Sequence, residues 1–348
     1  MRILVVHAWM KGNLGDILHA SVLLRALRAL KPDALDVAGY PPEPPPSCRE
    51  GCLDVADRFL PESFEWWWSL LPTGLAKGGL PRVLRAGRAA LFRQYEVVVS
   101  MPGPFLARHD YRAAAALLDL ALARRLGIPF VLAGHSIGPL MESGCRELSR
   151  AACCVAREPS TRRFLSERGI PSVLAADYAF LHPLEAPAGL EDRLVPASEP
   201  YRVLFLRANN LPLGQLRREG HRLLCRGRPV AVLGEDALAV ATSDRSRDAP
   251  ALAGLASRLG GTPVSCTAIE EMVAVIRGSR GVVSDRYHPA VCAVALNRPV
   301  QVLDNKEAHK MAGLRELIGL HDLEGVRDLA RTGLHAVERA VVDATSRR

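Results

Sequence analysis

The chain has 348 residues, 49% of them in the AVILMFWYC class and 24% charged, which supports a sizeable core and excludes a disordered, collagen-like or disulfide-scaffold chain. The length suits two domains. The formal charge of +8, carried by 45 basic residues of which only five are lysine, fits an acidic substrate or an anionic surface. The chain has no basic block and no basic stripe interleaved with aromatics, so nucleic acid is not an expected partner.

The first predicted strand, Ile3–His7, is too short and lacks the cleavage site to be a signal peptide. Gly12-Asn13-Leu14-Gly15-Asp16 follows it and opens a helix whose apolar face runs from Ile17 to Leu30. Backbone N–H groups at such a start can bind anions, while Asn13 or Asp16 capping the helix is the plainer reading. The Pro41–Pro46 stretch reads as a loop. Trp66-Trp67-Trp68 is either a membrane or acceptor contact or, more plainly, a partly inward-packed domain edge. Cys48 and Cys52 have no matching second pair, so no metal site is expected.

Further strands are predicted at Asp36–Gly39, Val97–Met101, Phe130–Ala133 and Cys153–Ala156, with a helix over Arg112–Leu126. Gly134-His135-Ser136-Ile137-Gly138 has the GxSxG spacing of a hydrolase nucleophile elbow, and Asp285 and His288 follow in the order an acid and base would need. Pro139, directly after, favours a turn into a loop. Four prolines between Leu181 and Pro200 mark a linker, and the alternation then restarts. Strands are expected at Val203–Leu206, Val230–Leu233, Pro263–Ser265, Gly281–Ser284 and Val300–Leu303. Helices are expected around Gln215–Cys225, Leu252–Leu259, Ile269–Arg277, Ala290–Leu296 and Leu323–Asp343. Neither GxGxxG nor GxxxxGK[ST] occurs, which argues against a dinucleotide-binding dehydrogenase and a P-loop NTPase.

Ser284-Asp285-Arg286-Tyr287-His288 closes one of these strands, where parallel sheets place ligands. Arg286 can grip a phosphate or carboxylate, and His288 can move a proton near neutral pH. Lys306 and Lys310 follow the next strand and offer point charges for a phosphate. The plainer reading of both features is capping and solvated side chains.

In order, these pieces resemble the polysaccharide pyruvyl transferase family. The resemblance runs through Gly12–Asp16, Met101–Leu106, Ser136–Leu140, Ala156–Ser160, Ala176–Phe180, Arg286-Tyr287-His288 and His309–Leu314. It implies an α/β fold of two Rossmann-like parallel-sheet domains facing across a cleft, GT-B-like. The expected domains are 1–182 on the acceptor side, a linker at 183–200, and 201–322 on the donor side, with a C-terminal helix at 323–348 packing back on the first domain. It further implies transfer of pyruvate from phosphoenolpyruvate to two hydroxyls of a saccharide or small natural product, giving a ketal and phosphate, with phosphoenolpyruvate a co-substrate and no cofactor or metal. His288 and Arg286 would be catalytic. Arg157, Lys310, Lys306 and Ser136 would hold the donor, and Asn13 and Asp16 the acceptor. Glu158, Tyr178 and Pro102-Gly103-Pro104 depart from the family pattern. The alternatives are a GT-B glycosyltransferase using a nucleotide sugar and a non-catalytic glycan-binding relative. The expected location is the cytoplasm, with the inner membrane surface as the alternative.

Overall fold

The computed structural model describes residues 1–9, 13–40, 55–61, 80–107, 111–196, 199–207, 213–243, 245–304 and 308–346. Pro41–Pro46, Cys48, Cys52, Trp66–Trp68 and Lys306 lie outside them. The chain divides into two compact units: residues 1–11, 19–178 and 327–348, and residues 12–18 and 179–326.

The first unit holds a seven-stranded sheet. Its strands are β1 (Arg2–Trp9), β2 (Ala34–Tyr40), β3 (Arg58–Pro61), β4 (Val97–Ser100), β5 (Phe130–His135), β6 (Cys153–Ala156) and β7 (Val173–Leu174). They lie in the order β3-β2-β1-β4-β5-β6-β7 and all pair in parallel. Ile3-Leu4-Val5-Val6 and Val97-Val98-Val99 are fully buried. Such unbroken apolar runs are what a parallel sheet covered on both faces requires. Its helices are α1 (Leu14–Ala29, of which residues 14–18 belong to the second unit), α2 (Leu80–Phe92), α3 (Tyr111–Leu126), α4 (Glu142–Leu148) and α5 (Pro159–Ser166).

Charges inside this unit are paired, as burial demands. Asp36 accepts from Tyr95 Oη (2.5 Å) and Arg58 Nη2 (2.6 Å). Asp119 takes Arg88 through two nitrogens, with Nε at 3.1 Å, and lies 3.2 Å from His7 Nε2. The other imidazole nitrogen of His7 meets Ser100 Oγ at 2.8 Å. His7 adopts a φ of 62°, in the left-handed region, and the β1–β2 register shifts between Val5 and Ala8 around it. This local irregularity turns an imidazole inward from a strand that is otherwise apolar.

The second unit contains a short helix, α6 (Leu190–Leu194), inside the segment expected as a linker. Its strands are β8 (Tyr201–Phe205), β9 (Leu216–Glu219), β10 (Arg222–Cys225), β11 (Arg228–Val232), β12 (Ala237–Thr242), β13 (Thr262–Ser265), β14 (Gly281–Ser284) and β15 (Val300–Val302). Its helices are α7 (Arg245–Leu259), α8 (Ile269–Gly278), α9 (Tyr287–Ala295) and α10 (Ala308–Leu320). Five strands form a parallel sheet in the order β13-β12-β8-β14-β15, and β11-β10-β9 form a separate antiparallel one.

That antiparallel sheet corrects the helix expected over Gln215–Cys225. Glu219 pairs with Arg222 across Gly220-His221, and Cys225 pairs with Arg228 across Arg226-Gly227. Gly220, Arg226 and Gly227 all take positive φ, which two-residue hairpin turns need. Leu216 and Leu223 of this insertion join the cluster of Leu204, Val240, Leu255 and Val283.

The last helix, α11 (Leu323–Ser346), places residues 327–346 in the first unit. Ala330, Val337 and Val341 are buried along one stripe. A Cβ on Gly333 would stand 2.4 Å from Ala175 Cβ and 3.1 Å from Val155, so the glycine is what lets the helix lie this close.

Candidate active site

In the parallel sheet of the second unit, the strand order reverses direction between β8 and β14. The carboxyl ends of strands flanking such a reversal leave a crevice that α/β sheets use for ligands. Arg207 follows β8, and Asp285-Arg286-Tyr287-His288 follow β14.

The two strand ends are tied together. Asp285 N–H donates to the Phe205 carbonyl (3.2 Å), and Asp285 Oδ1 accepts from Arg207 N–H (2.9 Å). Ser284 Oγ accepts from Arg286 N–H at 2.9 Å. Arg286 is extended (φ −98°, ψ 131°) and stands at the N-cap of α9, so Tyr287 and His288 are the first two helical residues. The positive end of that helix favours an anion where these side chains emerge. Arg286 is 9% exposed and His288 5%, so both are largely removed from water.

Residues 13–16 belong to this same unit. Asn13 Oδ1 accepts from Gly15 N–H (3.2 Å), and Asn13 Nδ2 donates to Asp16 Oδ2 (2.8 Å). Leu14 N–H donates to the Ser243 carbonyl just past β12 (3.2 Å), which fastens the start of α1 to the carboxyl edge of the sheet. A Cβ built on Gly15 would stand 2.0 Å from His288 Nδ1 and 2.3 Å from its Cγ. The backbone of α1 therefore lies directly against the imidazole. Lys310, on α10, is 8% exposed, and its Nζ lies 4.6 Å from the centre of the Tyr287 ring.

So the structure brings Asn13, Asp16, Arg286, His288 and Lys310 to one unit, with Gly15 against His288 and Lys310 against Tyr287. Asn13 caps α1, the plainer of the two roles expected for it, and the Asp16 carboxylate holds the Asn13 side-chain amide.

Arg157 and Ser136 belong to the first unit, and their polar atoms are committed there. Arg157 is 0% exposed. Its Nη1 donates to Asp177 (2.8 Å), its Nη2 to Ser136 Oγ (2.6 Å) and its Nε to Glu158 (3.2 Å). Ser136 Oγ in turn donates to Glu158, and Thr161 Oγ1 bonds the other carboxylate oxygen at 3.1 Å. This network departs from the donor-holding role expected for the pair, because the guanidinium already faces two carboxylates. It also leaves the GxSxG spacing without an elbow: residues 136–141 carry no helix, and a carboxylate accepts the Ser136 proton.

Two site residues went unassigned in the sequence. Arg207 is the first polar residue after the Val203–Leu206 run and becomes legible once the strand order is known. Tyr287, between the two expected catalytic residues, carries no signal until Lys310 is seen against it.

Residues 13–234, more than half of the chain, match the sequence model of the polysaccharide pyruvyl transferases. The chain belongs to the polysaccharide pyruvyl transferase family. The match ends before Ser284–His288. No curated protein matches the sequence. Among solved structures, the UDP-GlcNAc 2-epimerase of Methanocaldococcus jannaschii superposes with a TM-score of 0.58 at 13% identity, over 99% of this chain and 100% of that one. The UDP-GlcNAc 2-epimerase of Neisseria meningitidis gives 0.56 at 12% identity, over the full length of both. At these identities the likeness establishes the fold alone, and this pyruvyl transferase family member is α/β and GT-B-like. Among the described residues, no helix is long and apolar enough to cross a membrane.

Proposed function

We propose that the protein transfers pyruvate from phosphoenolpyruvate to two hydroxyls of a saccharide or glycan-like acceptor, forming a ketal and releasing phosphate. Membership of a pyruvyl transferase family supports the reaction class. The observation that carries the reading is the gathering of Arg286, His288 and Lys310 at the carboxyl edge of one parallel sheet, with Arg207 on the adjoining strand end.

Phosphoenolpyruvate bears a carboxylate and a phosphate, and it needs cations for both. Arg286 and Arg207 offer planar guanidinium groups from the two strand ends, and Lys310 offers a point charge. His288, as the imidazolium, delivers a proton to C3 of the enol. C2 becomes electrophilic and one acceptor hydroxyl adds to it, returning its proton to the now neutral His288 imidazole. The second hydroxyl then forms its bond to C2 as the C2–O bond to phosphate breaks, and its proton leaves with the phosphate. General acid catalysis of this kind is worth roughly 100- to 10,000-fold. In this reading Arg157 and Ser136 form the framework of the first unit. Asp16 orients the acceptor only as far as its bond to the Asn13 amide allows.

The test is phosphate release from phosphoenolpyruvate across a panel of polyhydroxylated acceptors, with His288→Ala as control. Acceptor-dependent release, lost in the variant, supports the reading. Undiminished release in His288→Ala removes the mechanism. Thermal stabilisation by a nucleoside diphosphate and not by phosphoenolpyruvate points to a nucleotide-sugar donor instead.

A further inference from the structure

We propose that Tyr287 is the positioning residue of this site, holding the Lys310 ammonium on its ring face and fixing the His288 imidazole beside it. The inference rests on the donor reading above and names a residue that reading does not use.

Lys310 Nζ stands 4.6 Å from the Tyr287 ring centre, within the range of a cation–π contact. The Tyr287 and His288 rings meet edge to face, with centroids 5.3 Å apart and planes at 88°. Tyr287 itself is 4% exposed. One buried ring thus touches both a cation from α10 and the imidazole at the start of α9. An aromatic face attracts an ammonium without neutralising it, whereas a carboxylate in the same place would compete with an anionic donor. The same ring limits rotation of the imidazole, which Gly15 confines from α1. Positioning of this kind sets where a proton is delivered, and small misplacements cost rate steeply.

The experiment compares wild type with Tyr287→Phe, Tyr287→Met and a trifluorinated phenylalanine at position 287. Fluorination drains the π face while keeping the ring's shape. The kinetic readout is KM for phosphoenolpyruvate against kcat, and the second readout is the ¹⁵N spectrum of the His288 ring. Tyr287→Phe should stay within about threefold of wild type, and Tyr287→Met should raise KM about tenfold and lower kcat. The fluorinated ring should raise KM about threefold over Phe with kcat unchanged. Wild type and Tyr287→Phe should show one His288 ring state, and Tyr287→Met more than one. Equal KM for Phe and its fluorinated form, or an unaltered His288 spectrum in Tyr287→Met, would overturn the proposal. Should Tyr287→Met not fold, the fluorinated pair carries the decision. If wild type neither binds nor consumes phosphoenolpyruvate, the donor reading fails, and the His288 spectra still judge Tyr287.

Discussion

Gly15 lies so close to His288 that a methyl group at position 15 would fall 2.0 Å from the imidazole Nδ1. An alanine in a helix is ordinarily about 1 kcal/mol better than glycine. Here the sign reverses, because the second residue of α1 faces a ring and not solvent. Gly15→Ala should reduce turnover of phosphoenolpyruvate about 100-fold while circular dichroism stays native. The decisive measurement is the double variant with His288→Gly, which also removes the His288 Cβ that would lie 2.5 Å from the new methyl, and in which Gly15→Ala should cost nothing more.

Arg207 and Asp285 give a second outcome. The Asp285 carboxylate fixes the backbone of Arg207 at 2.9 Å, so Asp285 sets where that guanidinium starts. Arg207→Ala should raise KM for phosphoenolpyruvate about tenfold, and Arg207→Lys should recover little, because a point charge lacks the planar fork. Full rescue by lysine would show that charge alone is read.

Arg157 should behave as a framework residue. It and Asp177 are both buried and paired at 2.8 Å, and removing one partner strands the other charge. Arg157→Ala should cost about 3–5 kcal/mol in urea unfolding. A variant of native stability with a raised donor KM would return Arg157 to the donor site.

Stability should depend on His135 in mild acid. Burial lowers the pKa of this imidazole from 6.5 to about 3, with the electrostatic influence of His7 and Arg157 adding to it. The folded state therefore keeps the ring neutral while the unfolded state takes up a proton. Its contribution is fully present above pH 6.5 and is lost as pH falls toward 3. Between pH 6.5 and 5 the loss should be about 2 kcal/mol. His135→Gln should flatten that slope in denaturant titrations, whatever it does to absolute stability.

Two of the parallel strands were legible as short apolar runs, Cys153–Ala156 and Gly281–Ser284, and have the expected bounds. The end of the second of these pointed to Arg286 and His288. The parallel strand Ala237–Thr242 beside β8 was missed, and the run expected at Val230–Leu233 lies in the antiparallel sheet. The helix expected over Gln215–Cys225 failed for a local reason. Leu216, Leu223 and Leu224 suit a helical face as well as a strand, and the turn at Arg226-Gly227 puts a positive φ on an arginine. The commitment of Arg157 was hidden as well, since Asp177 lies on another segment and only folding brings it to the guanidinium. Lys306 falls outside the described residues, and the choice between it and Lys310 rests on the tyrosine that meets Lys310.

The docking of α11 bears on the order of assembly during synthesis. Residues 327–346 complete a unit that otherwise ends at Tyr178. On the ribosome, the earlier segments must wait, with the Val155 and Ala175 surface uncovered, until every residue of the other unit has been made. A nascent chain arrested before Gly333 would present that surface to chaperones, and release of the final helix would close it.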